Sequence, residues 1–323
     1  MKRLNLMINS TCHCRCQMCD IWRVNGPEMS MDTVQRAAAI ARSEGCHRVL
    51  LTGGEPTLHS RFDSIVKLLS DEGFELGMCT DGVSLLPYAE LVAEKFRRVI
   101  ISMDAPDRET YKKVRGVDSF HAVCGAAKTI KSLVGEKLEL TLAFLIQPLN
   151  YRLLKNWYVM ARTLPVDALS IQLPNGKNDI DTFVKSRSTE LRMVRGFSRL
   201  DLERLLLLLD EVFLEDRLSE RPLLQESDWA RRHYRRYLET WRDSGSPLAP
   251  RQCALPANSI SVMPDGSVKP CFVLPFEFGH VSGAPEARSA RAEFLGDPAL
   301  LQRINSAACE RCVVFVDSRV TAA

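Results

Sequence analysis

Between residues 4 and 173 the chain alternates short aliphatic, β-rich runs with longer stretches of helical periodicity. Strand candidates fall at 4–8, 48–51, 75–78, 98–102, 138–146 and 168–173, and helical candidates between them at 31–43, 62–70, 85–95, 120–133 and 153–162. Ser30 and Asp32 open the first helix with side chains suited to its cap. Strands separated by helices of this length pair in parallel through right-handed crossovers. Six such units predict an α/β fold, a partial TIM-like (β/α)6 barrel. Ligands of such sheets bind at the carboxyl ends of the strands, so the chemistry is to be sought directly after each one.

The segment after the first strand carries Cys12, Cys16 and Cys19 in the pattern Cys-x3-Cys-x2-Cys. Three close thiolates can hold three irons of a cubic cluster and leave the fourth iron free to bind a small molecule and pass it an electron. Zinc is the alternative, but structural zinc usually takes four ligands in paired knuckles, which a lone three-cysteine loop matches poorly. The chain has eleven cysteines. Its opening apolar run is too short for a secretory signal, and the longest apolar run, 205–209, is far below the ~20 residues a membrane span needs. The cysteines therefore read as metal ligands or buried thiols in a reducing cytoplasm, not as disulfides. A net charge of +3 argues for neither nucleic acid nor a membrane surface as partner.

Thr52, Gly53, Gly54, Glu55 and Pro56 follow the second strand. Two glycines let a backbone approach a ligand closely, and Glu55 with nearby carbonyls can accept bonds from an ammonium group. Together with the cysteine loop, this Gly-Gly-Glu-Pro motif resembles the radical S-adenosylmethionine (SAM) superfamily. The resemblance implies a 4Fe–4S cluster on Cys12, Cys16 and Cys19 whose open iron chelates SAM. It implies cleavage of SAM to a 5′-deoxyadenosyl radical that takes a substrate hydrogen, with a flavodoxin or ferredoxin as reductant. SAM contacts are then expected from Gly53, Gly54, Glu55 and Pro56, and from Thr80, in a Thr-Asp-Gly turn whose Asp81 departs from the family's Asn. They are expected also from Ser102 and Asp104 after the fourth strand, and from Arg115, for which a surface ion pair is the alternative. Asn150 is either a further contact or a helix cap. Cys14 lies off the motif's spacing and reads as a non-ligand; Cys46, Cys79 and Cys124 read as buried small hydrophobes.

From about 177 to 250 the composition turns to Arg, Glu and Leu, with helices expected at 198–218 and 226–242. The basic run from Arg231 to Arg236 reads as a solvated helix face. Beyond Pro247 and Pro250, strands at 259–263 and 267–271 flank Pro264, Asp265 and Gly266, a hairpin signal. Cys253, Cys271, Cys309 and Cys312 can enclose zinc or a 4Fe–4S cluster, and spacing leaves that choice open. Their arrangement around the hairpin resembles the twitch subdomain, a shortened relative of the SPASM domain, which implies one auxiliary 4Fe–4S cluster and two clusters in all. The expected units are a barrel core, 1–176, a helical connector, 177–250, and an iron–sulfur subdomain of hairpin and helix, 251–323.

With an electron-accepting auxiliary cluster, the resemblance implies oxidation of a small, sugar- or aminocyclitol-like substrate. The alternatives are a maturase that cross-links or oxidises a ribosomal peptide, a redox-neutral epimerase or dehydratase, and a non-enzymatic iron–sulfur or zinc scaffold. A first strand at residue 4 leaves no amino-terminal leader-binding domain in the chain, which favours the small substrate. No catalytic base stands out among the acidic residues of 177–250.

Overall fold

The computed structural model describes residues 2–19, 21–24, 26–173, 196–226, 228–245, 258–272 and 277–296. Six parallel strands form the predicted partial barrel: β1 (Lys2–Asn9), β2 (Cys46–Gly53), β3 (Glu75–Thr80), β4 (Phe96–Ser102), β5 (Glu139–Leu145) and β6 (Ala168–Gln172). The helices that follow are α1 (Met31–Ser43), α2 (Phe62–Asp71), α3 (Ala89–Lys95), α4 (Arg108–Arg115), α5 (Phe120–Val134) and α6 (Leu154–Arg162). The stretch expected to be one helix from 85 begins instead as a 3-10 turn at Leu86–Tyr88, where Pro87 sits at the start, and becomes α-helical at Ala89.

Strand alternation divides the sheet into two chemically different faces. Leu4, Leu6, Val49, Leu51, Leu76, Met78, Val99, Ile101, Leu140, Leu142, Leu169 and Ile171 pack into one core under the helices. The other face carries polar side chains, among them Asn5, Thr141, Ser170 and Ser261, all buried. Register places Ser102 opposite Ala143 and Ala143 opposite Ser170, so these three form a row across β4, β5 and β6.

Two longer helices come from the connector, α7 (Arg199–Leu218) and α8 (Asp228–Ser244). A capping box starts α7: Asp201 N–H donates to Ser198 Oγ at 3.1 Å and Ser198 N–H donates to Asp201 Oδ2 at 3.0 Å. Between the two helices the chain runs along the outer edge of β6, where Leu169 N–H donates to Leu223 O at 2.7 Å and Gln225 N–H to Leu169 O at 3.0 Å. Gln225 then reaches across the barrel floor, accepting from Arg98 at 2.7 Å and donating to Glu139 at 2.7 Å.

The tail hairpin is present as β7 (Ser259–Val262) and β8 (Ser267–Lys269), followed by β9 (Gly279–His280) and α9 (Ala284–Gly296). It does not stand as a sheet of its own. β7 pairs in parallel with β1, so the described strands form one sheet in the order β6-β5-β4-β3-β2-β1-β7-β8-β9. Among the described residues, no helix is long and apolar enough to cross a membrane.

Candidate functional site

The cysteine loop leaves β1 and lies across the end of α4. The last carbonyls of a helix have no intrahelical partner, and here the loop supplies the donors. Arg15 N–H donates to Arg115 O at 2.9 Å, Gln17 N–H to Val114 O at 3.2 Å and Gln17 Nε2 to Lys113 O at 3.1 Å. Gly116 ends the helix in the left-handed conformation, φ 74°. A side chain there would place its Cβ 2.7 Å from Arg15 O. The sequence reading had missed α4. Its two caps were nonetheless legible, as Asp107 accepts from Thr110 N–H at 2.8 Å and Gly116 follows the last turn.

On the loop, Cys14 and Cys16 are buried against Met18 and Val114, while Cys12 and Cys19 are half-buried at the edge of the same cluster. The thiols of Cys12, Cys14 and Cys16 contact one another. Cys14 S–H donates to Cys12 and Cys16 S–H donates to Cys14; giving these bonds, together with burial, pushes the Cys14 and Cys16 thiols upward.

The Gly-Gly-Glu-Pro segment is zipped onto this loop. Gly54 N–H donates to Asn9 O at 3.1 Å, Glu55 N–H to Thr11 O at 2.7 Å, and Asn9 Nδ2 to Glu55 O at 2.9 Å. A Cβ on Gly54 would sit 2.2 Å from Thr11 O, so only glycine lets the two backbones meet. Pro56 opens a buried 3-10 turn directly after.

Glu55 behaves differently from the sequence expectation that it could accept from an ammonium group. Its carboxylate is fully buried and already receives Thr57 N–H at 3.1 Å, Thr57 Oγ1 at 2.7 Å, Thr80 Oγ1 at 2.9 Å and Asp81 N–H at 2.6 Å. It ties the end of β2 to the end of β3. Burial, reinforced by the charge of Asp81, pushes its pKa up to about 7.

Asp81, the residue out of family pattern, faces the loop. Its Oδ2 lies 3.4 Å from His13 Nδ1 and accepts from Cys14 Sγ at 3.5 Å and Cys12 Sγ at 3.8 Å. His13 Nε2 is in turn 2.8 Å from Ser84 Oγ. Burial opposes the Asp81 charge, but the bonds from His13 and Val83 N–H and the charge of Arg115 outweigh it and hold its pKa below the usual range. The bond to Asp81 raises His13. Asp81 with Cys12 and Cys14 forms a group of possible ligands within 4.8 Å of one another.

Beneath the loop is a second buried pair. Arg115 Nη1 donates to Asp104 Oδ2 at 2.9 Å, and Leu145 N–H donates to Asp104 Oδ1 at 2.8 Å. Burial raises Asp104 against both partners. Arg115 is only 7% exposed, so the surface ion pair is excluded. Its positive charge lies next to Cys14 and Cys16. Asn150 holds the N-cap position of the 3-10 turn Tyr151–Leu153, but its side chain makes no cap bond: it donates to Asp104 O at 3.0 Å and Leu145 O at 2.9 Å and accepts from Gln147 N–H at 2.7 Å. Ser102 is half-buried on the polar face of the sheet.

The structure thus brings together Cys12, Cys16 and Cys19, the Gly53–Pro56 turn, Thr80, Asp104 and Arg115 at the carboxyl ends of β1 to β4. Cys271, after β8, is buried, and its proposed partners Cys253, Cys309 and Cys312 lie outside the described residues. Cys46 sits in the core as expected, whereas Cys79 and Cys124 are half-buried.

Residues 6–148 match the profile of the radical SAM superfamily. This stretch is a radical SAM domain. Curated relatives described as "Probable GTP 3',8-cyclase" match it from Saccharolobus solfataricus, 34% identical over 130 residues, 39% of this chain and 42% of that protein. Another, from Thermococcus kodakarensis, is 32% identical over 143 residues, 43% of this chain and 47% of that protein. The chain spans less than half the length of these relatives. Two solved structures share the fold more fully. Native anSMEcpe with bound AdoMet has a TM-score of 0.66 at 19% identity, covering 90% of this chain and 82% of that one. Streptococcus suis SuiB bound to precursor peptide SuiA has a TM-score of 0.65 at 14% identity, covering 94% and 66%.

Proposed function

We propose that the protein is a radical SAM enzyme acting on a small polar molecule, with Cys12, Cys16 and Cys19 as ligands of a 4Fe–4S cluster and the Gly53–Pro56 turn as the seat of SAM. One observation carries this reading: the Gly54 backbone docks on Thr11 with no room for a side chain, joining the glycine turn to the root of the cysteine loop. The donor set suits the group, being three thiols on one short loop, with the Arg115 cation beside Cys16 partly offsetting the upward push of burial on that thiol. When bound, the cluster and SAM supply one-electron cleavage of a sulfonium and a radical able to take hydrogen from carbon.

The chain's own residues fix and shield that chemistry. Glu55 is spent on Thr57, Thr80 and Asp81, so it holds the turn's shape, and backbone carbonyls are left to receive an ammonium group. Thr80 likewise serves as a strut. Asp104 and Arg115 keep α4, and with it the loop, against β5. Ser102 is the contact best placed for the ribose, because it is half-buried and faces the polar side of the sheet.

The finer reading is oxidation of a sugar- or aminocyclitol-like substrate, with Cys253, Cys271, Cys309 and Cys312 holding an auxiliary 4Fe–4S cluster as electron acceptor and a flavodoxin or ferredoxin as reductant. Its support is the placement of Cys271 on the hairpin that abuts β1. A second reading is ring closure on a purine nucleotide, favoured by the named activity of the relatives that share the cluster-bearing domain. Anaerobic reconstitution followed by reduction with dithionite in the presence of SAM tests both, using 2-deoxystreptamine and GTP as candidate substrates. Formation of 5′-deoxyadenosine stimulated by one of them is expected and identifies the class. Iron and sulfide sufficient for a single cluster would remove the oxidative reading, and no deoxyadenosine with either substrate would remove the enzyme reading.

A further inference from the structure

The last turn of α7 and the segment that follows it contribute two fully buried carboxyl groups, Asp216 and Glu226, that differ in one respect. Asp216 is saturated, accepting from Leu223 N–H at 2.9 Å, Leu224 N–H at 3.1 Å and Tyr158 OH at 3.2 Å. Glu226 uses a single oxygen. Its Oε1 accepts from Ile171 N–H at 2.7 Å and Ser170 Oγ at 3.2 Å, while Oε2 is buried with no partner in another residue among the described residues. Buried polar atoms without partners are rare in native proteins and call for a reason. The nearest charged and polar neighbours do not supply one: Arg231 Nε donates to the Glu226 backbone O at 3.0 Å, and Tyr234 OH donates to Ile171 O at 2.7 Å.

Position supplies the reason. Ser170 alternates with Leu169 and Ile171, which enter the helix-side core, so Ser170 belongs to the polar face of the sheet. Register sets it in the row Ser102, Ala143, Ser170. Neighbouring strands lie about 4.8 Å apart, so two steps separate Ser102 from Ser170 by about 10 Å. Only the small side chain of Ala143 stands between them in that row. Burial also pushes the Glu226 carboxyl up to about 7, so near neutral pH it is able both to accept and to give a hydrogen bond.

The geometry points to Glu226, with Ser170, as the substrate-binding end of this row, where the open carboxyl oxygen takes an N–H or O–H donor of a polyhydroxylated or amino-bearing small molecule. The inference rests on the radical SAM reading and names the class of substrate within it.

A purely structural part for Glu226 is to cap the edge of β6, and Glu226→Gln separates the two. The amide oxygen can still accept from Ile171 and Ser170, so the cap survives while the open carboxyl oxygen becomes a donor. Reconstituted full-length protein with SAM is titrated calorimetrically with 2-deoxystreptamine, a diaminocyclitol, and with GTP, whose guanine edge offers N–H donors. One of the two is expected to bind, and Glu226→Gln to weaken it tenfold or more, with SAM affinity within twofold of wild type and a melting temperature at pH 5 close to that of wild type. Ser170→Ala should weaken the same probe by a smaller factor. Unaltered probe affinity in Glu226→Gln overturns the inference, as does failure of the wild type to bind either probe while SAM binds normally. Failure to bind SAM would instead strike the radical SAM reading itself.

Discussion

Two regions of the sheet treat buried charge in opposite ways. Around β1 to β3 the carboxylates are filled: Glu55 receives four different donors and Asp81 is surrounded by His13, Cys12, Cys14 and Val83. At β6, Glu226 keeps one oxygen open. A satisfied buried network rigidifies its surroundings, whereas an open acceptor is costly unless something arrives to use it. For the carboxyl groups, the contrast separates a rigid junction, where every acceptor is used, from one with an oxygen still open.

The largest effect should come from the rigid region. Replacing any of Cys12, Cys16 or Cys19 with Ala is expected to abolish the cluster signal that shifts on adding SAM, read by electron paramagnetic resonance. A variant lacking Cys16 that kept this signal would break the comparison at its root. Next, Glu55→Ala orphans the donors of Thr57, Thr80 and Asp81 and should destabilise the fold by about 3 kcal/mol, measured by chemical denaturation. A loss well below ~1 kcal/mol would mean that the β2–β3 junction is not held by this carboxylate.

Gly116→Ala should cost about 1–2 kcal/mol, since it puts a side chain at positive φ against Arg15 O. It should lower iron retention along with the melting temperature, because α4 carries the loop.

The smallest effect distinguishes the two regions by pH. Burial raises Glu226 from the ordinary value of 4.5 to about 7 in the folded state. The folded state therefore binds more protons between these values, so this group's contribution is complete below about pH 4.5 and is lost as pH rises through 7. Glu55, also raised to about 7, adds a slope of the same sign. Wild-type melting temperature should fall from pH 5 to 7.5, and Glu226→Gln should flatten only its own share of that fall. An identical slope in the variant would show that Glu226 ionises as an ordinary exposed carboxylate.

Much of the barrel was legible because its signals are local. Helix α1 begins and ends where Ser30 and the 3.6 periodicity place it, and α5 extends one residue beyond its expected end. Helix α4 escaped because Arg108–Arg115 is mostly charged, with only Tyr111 and Val114 as apolar anchors. Spacing alone marked Cys12, Cys16, Cys19 and the glycine turn. What spacing cannot carry is pairing at long range. The partners of Glu55 and Asp81, the burial of Arg115 under the loop, and the meeting of Glu226 with Ser170 all depend on strand register. The parallel union of β7 with β1 joins residues more than 250 positions apart, and no periodicity announces it.

That union also sets an order of events during synthesis. β1 gains its first neighbour when β2 emerges but its second only when residue 259 does. At translation speeds of about 5–20 residues per second, the strand that launches the cysteine loop waits roughly ten to forty seconds with one flank bare. During that interval the nascent strand carries one unpaired edge, which the arrival of β7 against Arg3–Leu6 covers.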